Sequence, residues 1–168
     1  MNGATIASNS FITTVPTAWA PVAVADFNGD GKADILWRNT TSGDVALWLM
    51  NGATVTSGFF ITTVPTVWSV AGVGDFNGDG KADILWRDTS GNLALWLMDG
   101  ASIASGGSLG NVPTTWSPVQ IGDFDGDGKA DILWRNTTSG DLAMWPMNGF
   151  SVASNNFITT VPTSWATQ

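Results

Sequence analysis

The sequence contains no cysteine, histidine, glutamate or tyrosine, and only three lysines and three arginines. Without cysteine there are no disulfide staples and no thiolate metal ligands, although compartment stays undecided, since many exported bacterial proteins carry none. Without histidine, cysteine or glutamate the usual general bases and the thiol nucleophile are missing, and serine and threonine have no evident activating partner. The chain is therefore expected not to be an enzyme. So few cations, against 14 aspartates and a formal charge of −8, argue against nucleic acid and other polyanions as partners. No apolar run approaches the ~18 residues that span a bilayer, and no charged segment followed by a hydrophobic stretch opens the N-terminus. Neither a membrane span nor a signal peptide is expected.

What is present favours strands. Threonine, valine, isoleucine, phenylalanine and 10 tryptophans suit pleated packed surfaces, while 20 glycines, with asparagine, aspartate and proline, punctuate turns. Alignment of the chain with itself gives the strongest signal: Met1-Asn2-Gly3 returns at Met50-Asn51-Gly52, Met98-Asp99-Gly100 and Met147-Asn148-Gly149, with periods of 49, 48 and 49 residues. The missing residue lies in a turn, where Asp88-Thr89-Ser90-Gly91 replaces Asn39-Thr40-Thr41-Ser42-Gly43. Residues 1–168 thus read as one repeat domain, with repeats 1–49, 50–97 and 98–146 and a partial repeat 147–168. A period near 50 points to a solenoid, propeller or array.

Within a repeat, four strands are predicted around Pro21–Phe27, Ala33–Asn39, Asp44–Met50 and Ala53–Thr63, followed by a Val-Pro-Thr-x-Trp connection. In Ile35-Leu36-Trp37 and Val45-Ala46-Leu47-Trp48-Leu49 both alternating faces are apolar, so these strands are covered on both sides. Four-stranded antiparallel sheets sandwiched between similar sheets make the blades of an all-β propeller; a parallel β-helix has a shorter repeat and ranks second.

Each repeat carries one acidic loop: Asp26-Phe27-Asn28-Gly29-Asp30-Gly31-Lys32-Ala33-Asp34, then Asp75 to Asp83, then Asp123 to Asp131. Side-chain oxygens fall at loop positions 1, 3, 5 and 9: Asp26, Asn28, Asp30 and Asp34; Asp75, Asn77, Asp79 and Asp83; Asp123, Asp125, Asp127 and Asp131. Glycine at position 6 permits the sharp turn, and the carbonyl of position 7 (Lys32, Lys81, Lys129) can turn inward as a further ligand. A helix-loop-helix calcium site would need glutamate at position 12, where Trp37, Trp86 and Trp134 stand before a strand continues. The loop is therefore expected to join two strands. Two carboxylates ~4 Å apart repel by about 4 kcal/mol at an effective dielectric of 20, so three per loop call for a cation. All-oxygen ligation favours calcium over zinc, copper or iron, and its variable ligand number favours it over magnesium. Three ions per chain would bring the formal charge from −8 to −2. The bland alternative is a solvated turn, because Asp, Asn and Gly are ordinary turn residues; three copies that all retain the position-9 aspartate weigh against it.

The stretch Asp-Phe-Asn-Gly-Asp-Gly-Lys-Ala-Asp-Ile-Leu-Trp resembles the FG-GAP/VCBS repeats of integrin-type propellers and related bacterial and fungal proteins, along the whole chain. The literal Phe-Gly and Gly-Ala-Pro signatures are missing, which places the resemblance with the bacterial VCBS-like branch. It implies calcium held between the first and second strand of each blade, by Asp26, Asn28, Asp30, Lys32, Asp34 and their counterparts. It also implies an extracellular or secreted parent protein with a structural, adhesion or ligand-presenting role.

Trp37, Trp48 and their repeats are expected to pack between blades. Trp19, Trp68, Trp116 and Trp165 follow Val-Pro-Thr in connections, where an exposed indole could stack on a sugar ring. Some lectins similar to this family bind sugars between blades, so a multivalent carbohydrate-binding lectin is the alternative function. Arg38, Arg87 and Arg135 are expected to pair with acids such as Asp44 or to cover apolar surface. Propellers have four to eight blades, and three leave an open arc with raw edges. Self-association, with a homodimer supplying six blades, is the expected remedy. The near-identity of the repeats, and Met1 at a repeat methionine, suggest a segment of a longer or amplified propeller.

Overall fold

A computed structural model describes residues 9–165. The Met1-Asn2-Gly3 copy of the repeat motif lies outside the described residues. The first blade comprises β1 (Trp19–Ala25), β2 (Asp34–Asn39), β3 (Asp44–Asn51) and β4 (Thr54–Thr63), hydrogen-bonded in chain order as an antiparallel sheet. The second repeats it with β5 (Trp68–Gly74), β6 (Asp83–Asp88), β7 (Asn92–Asp99) and β8 (Ser102–Asn111). The four predicted strands thus stand within two residues of their expected limits. No helix is present among the described residues, and none is long and apolar enough to cross a membrane.

The third blade departs from this pattern. It has β9 (Trp116–Gly122), β10 (Asp131–Asn136) and β11 (Asp141–Trp145), but the third strand breaks before β12 (Met147–Asn148), and the outer strand divides into β13 (Ser151–Val152) and β14 (Asn156–Thr160). Two substitutions mark this blade: Pro146 stands where the other blades have Leu49 and Leu97, and Asn155 where they have Gly58 and Gly106, at which a β-carbon would lie only 3.2 and 3.0 Å from the facing tryptophan ring. Proline has no amide hydrogen to give the ladder and is poorly tolerated inside a sheet. The Pro146 carbonyl still accepts from Ala153 N at 2.8 Å, so the edge remains attached. The partial repeat that begins at Met147 supplies the outer strand of this blade.

The first strands β1, β5 and β9 are neighbours along the row of blades. Two hydrophobic cores result, and both lie between blades rather than within them. Phe27, Leu36, Val45 and Leu47 of the first blade meet Ala82, Ile84, Trp86 and Met98 of the second. Phe76, Leu85, Leu93 and Leu95 of the second meet Ala130, Ile132, Trp134 and Met147 of the third. Leu36 therefore points toward the following blade while Ile35 and Trp37 point to the opposite side. In the second blade Leu85, Leu93 and Leu95 face the third blade while Ile84 and Trp86 face the first, so its middle strands are apolar on both faces because each face belongs to a different core.

The connections between blades are fixed by arginine. Arg38 Nη2 donates to the carbonyls of Val64, Pro65 and Trp68, at 2.9, 3.1 and 3.2 Å, and its guanidinium lies 5.1 Å from the Trp86 ring centroid. Arg87 holds the matching carbonyls with both nitrogens, Nη2 donating to Val112 and Pro113 and Nη1 to Trp116, and lies over Trp134 at 5.6 Å. The expected ion pair with Asp44 is absent among the described residues. Asp44 instead accepts from the hydroxyls of Thr63 and Ser42, which hold its carboxyl below the usual carboxylate range.

Candidate metal centre

Each acidic loop joins the first and second strand of its blade. Its shape follows from two glycines in left-handed conformation, Gly29 (φ 75°) and Gly31 (φ 80°) in the first copy, at which a β-carbon would be strained. The turn then closes on the position-1 aspartate. Asp26 Oδ1 accepts from Gly29 N and Asp30 N, at 2.7 and 3.2 Å, and Oδ2 accepts from Gly31 N at 2.7 Å. Asn28 Oδ1 accepts from Asp30 N, and Asp30 Oδ1 from Lys32 N. Asp75 gathers the corresponding three amides of its loop, and Asp123 gathers two, those of Gly126 and Gly128. Backbone N–H groups thus fold three successive carboxylates or amides inward.

The position-9 aspartates differ in kind. Asp34, Asp83 and Asp131 are fully buried. Asp34 Oδ2 accepts from Phe27 N at 3.0 Å and Oδ1 from Met50 N at 2.9 Å, so one carboxylate ties its loop to the third strand. Asp83 makes the same pair of bonds with Phe76 N and Met98 N, and Asp131 with Phe124 N and Met147 N. None has a lysine or arginine partner among the described residues. Burial drives the Asp83 carboxyl up to about 6, against the pull of its two amide bonds and with help from nearby Asp79 and Asp75.

In the third loop, one carboxylate oxygen from each of Asp123, Asp125 and Asp131 lies within 4.8 Å of the others. Oxygens bound to one calcium ion at about 2.3–2.6 Å are separated by at most ~5 Å, so these three are close enough together to share a hard cation. Position 5 is more divided. Asp127 Oδ1 accepts from Lys129 N, while Oδ2 takes the Lys129 amine at 2.9 Å; Asp30 and Lys32 form the same pair at 3.0 Å. Both aspartates are held below the ordinary carboxylate range, chiefly by that lysine. In the second loop Lys81 turns instead to Asp99, at 2.6 Å, and Asn77 Nδ2 donates to Asp79 Oδ2. The lysines at position 7 are thus anchored through their amides and neutralise exposed acids, a task the sequence did not reveal. Asn28 and Asn77 stand where the third loop has Asp125, so that loop carries one more formal charge than the others.

The loops also reach across blades. Ala82 N donates to Asp26 O at 2.7 Å and Gly100 N to Phe27 O at 3.0 Å; Ala130 N donates to Asp75 O at 2.6 Å and Gly149 N to Phe76 O at 2.8 Å. The first two residues of each loop thereby bind the next blade.

The profile of the FG-GAP-like repeat matches residues 26–86 and 75–134, each match running from one acidic loop through the following one to its strand tryptophan. The chain belongs to the FG-GAP-like repeat family. Each matched segment of this FG-GAP-like chain thus contains two Asp-rich loops and crosses from one blade into the next. A comparison with curated proteins gave no match.

Trp19, Trp68 and Trp116, expected in connections with exposed indoles, instead open the strands β1, β5 and β9 and are half-buried, and they form a second recurrent site of this FG-GAP-like chain. Trp19, Trp68 and Trp116 each line a cleft with the Val-Pro segment and the paired strand tryptophans of a blade, in volumes of about 150, 370 and 270 Å³. The pairs Trp37–Trp48, Trp86–Trp96 and Trp134–Trp145 stand 4.8, 4.9 and 5.1 Å apart, tilted by 56–59°. The buried indole N–H groups of Trp37, Trp86 and Trp134 have no acceptor among the described residues. Trp165 is 69% exposed and belongs to none of these three clefts.

Proposed function

We propose that this chain is a calcium-stabilised propeller module with a structural, adhesion or ligand-presenting role, and that it performs no catalysis. The observation that carries this reading is the convergence of Asp123, Asp125 and Asp131 in a loop whose position-1 aspartate gathers backbone amides as its counterparts in the other two blades do. One ion per loop, three per chain, would be held by the position 1, 3, 5 and 9 side chains and the carbonyls of Lys32, Lys81 and Lys129. Bound calcium would neutralise the acids and fix the loop; the chain's own part is to orient them by backbone donors. Ten of the 14 aspartates belong to these loops, which leaves few for acid–base work and supports a non-enzymatic role. Placement outside the cell, where millimolar calcium would saturate weak sites, fits this reading. Association of the three blades with further copies, a homodimer in the simplest case, would complete a ring. Thermal unfolding with calcium and after EDTA tests the proposal; an unchanged melting temperature would reduce the loops to turns.

A second reading, a multivalent lectin with sugar sites between blades, is favoured by the three tryptophan-lined clefts. A pyranose offers an apolar face for stacking. Quenching of tryptophan fluorescence by simple sugars in calcium supports it, and no response across a panel of monosaccharides removes it.

A further inference from the structure

The two inter-blade cores are built from one set of donors and one set of receivers, and each set recurs once more without its complement. On the trailing side, Phe27 and Phe76 are fully buried by the next blade, whereas Phe124, at the same place in the third blade, is 47% exposed. Leu133, Leu142 and Met144 are likewise only half-buried where Leu36, Val45 and Leu47 are sealed. On the leading side, Ala82 and Ala130 are buried but Ala33 is exposed, and Trp86 and Trp134 are sealed while Trp37 is only half-buried. The polar groups follow suit. Asp26 O and Phe27 O accept from Ala82 N and Gly100 N, and the third blade repeats those acceptors at Asp123 and Phe124. The first blade repeats the donors at Ala33 and Gly52. Arg38 and Arg87 each cover a tryptophan of the following blade; Arg135 holds the Val161 and Pro162 carbonyls with no such ring above it among the described residues.

We propose that the leading face of the first blade of a second copy seats on the trailing face of the third, continuing the packing that joins the blades within the chain. The occupant is identified by its chemistry: the surface that fits Phe124, the Asp123 and Phe124 carbonyls and Arg135 must offer an alanine amide, a glycine amide and a tryptophan face at the spacing of a blade of this repeat. The first blade carries all three at Ala33, Gly52 and Trp37. The contact is head-to-tail, so it joins two different patches and closes only as a ring or grows as a filament. This rests on the self-association reading above and names its surface.

The absence of cysteine makes the test direct. Within the chain, a β-carbon at Gly74 would lie 2.7 Å from the Ala130 β-carbon, and the first blade accommodates Ala25 at the Gly74 position. The matching pair between copies is Gly122 and Ala33, and Gly122 is open, its nearest neighbour for a β-carbon being the Phe124 ring at 3.9 Å. Mixing G122C with A33C under oxidising conditions is expected to give a disulfide-linked dimer that neither variant forms alone. Phe124→Asp, at an exposed position, is expected to abolish the multi-chain mass in light scattering while the circular dichroism of the chain is retained. Cross-linking of either single variant with itself would show a face-to-face dimer and overturn the proposal. A multi-chain mass without the mixed cross-link, or one unaffected by Phe124→Asp, would overturn this surface and leave self-association standing. A monomer that does not cross-link overturns both, and calcium-dependent melting measured on the same sample reports separately on the metal reading.

Discussion

The backbone amide of Ala82 donates to the carbonyl of Asp26 at 2.7 Å, so the first residue of one acidic loop is bonded to the eighth residue of the next. The same tie joins Ala130 to Asp75. Asp26 and Asp75, ligands in the proposed calcium sites, therefore also carry bonds between blades, and on that proposal loss of the ion is expected to act on the row of blades as well as on one turn.

Asp83 is the position where that coupling is most exposed to mutation. Removing its carboxylate in Asp83→Ala strands the buried amides of Phe76 and Met98. With about 1–3 kcal/mol for each unsatisfied buried donor, the variant should lose roughly 2–6 kcal/mol in EDTA, before any metal effect. Asp79→Ala, at an exposed position, should be nearly silent in EDTA and lose stability relative to the parent only when calcium is present. Urea unfolding of both variants measures this; equal effects in EDTA would contradict the division of labour.

Arg87 binds three carbonyls of the connection and lies over Trp134. A lysine amine cannot reproduce a planar fork that serves several carbonyls while stacking on an indole. Arg87→Lys should therefore cost about 1–3 kcal/mol, close to the cost of Arg87→Ala. Full rescue by lysine would show that charge alone matters there.

The acidic strand end at Asp83 also sets a pH dependence. Its carboxyl is raised by burial to about 6, above the unfolded value near 3.8. A proton occupies this acid more readily in the folded apo chain than in the unfolded one. In EDTA the penalty of the buried charge is fully present above pH 6 and is relieved as pH falls toward 4. Calcium needs the deprotonated form, so its affinity at this loop should weaken as pH drops through about 6. Calcium titrations of the chain at pH 7.5 and 5.5 test the second effect; identical affinities would contradict it.

Much of this architecture was legible because the sequence states it three times. Asp-x-Asn-Gly-Asp-Gly fixed both the turn and the inward oxygens, and apolar residues on both faces of Ile35–Trp37 announced a covered strand. What stayed hidden depended on long-range geometry. Leu85 and Trp86 look alike as hydrophobes, yet they serve different cores, and only the placement of neighbouring blades separates them. Arg38 offered Asp44 as an obvious partner in sequence, but carbonyls more than 25 residues away take its donors. The break in the third blade did have a signal, Pro146 in place of Leu49 and Leu97, which the repeat alignment reveals once the strand ladder is considered.

That break gives a prediction of its own. Pro146→Leu restores an amide to the third strand and should fuse β11 with β12, as in β3 and β7. Amides of 146–154 should then exchange more slowly with solvent, with a gain of about 0.5–1.5 kcal/mol from one recovered hydrogen bond. Hydrogen exchange read by NMR checks it; unchanged exchange rates would place the cause of the break elsewhere.

Isothermal calcium titration of the EDTA-stripped chain, paired with its melting temperature at each point, decides whether the acidic loops hold calcium as part of the fold. The account predicts binding at three sites per chain and a melting temperature that climbs with occupancy, as mass action requires for an ion that binds only the folded state. No heat of binding and a melting temperature indifferent to calcium would contradict it.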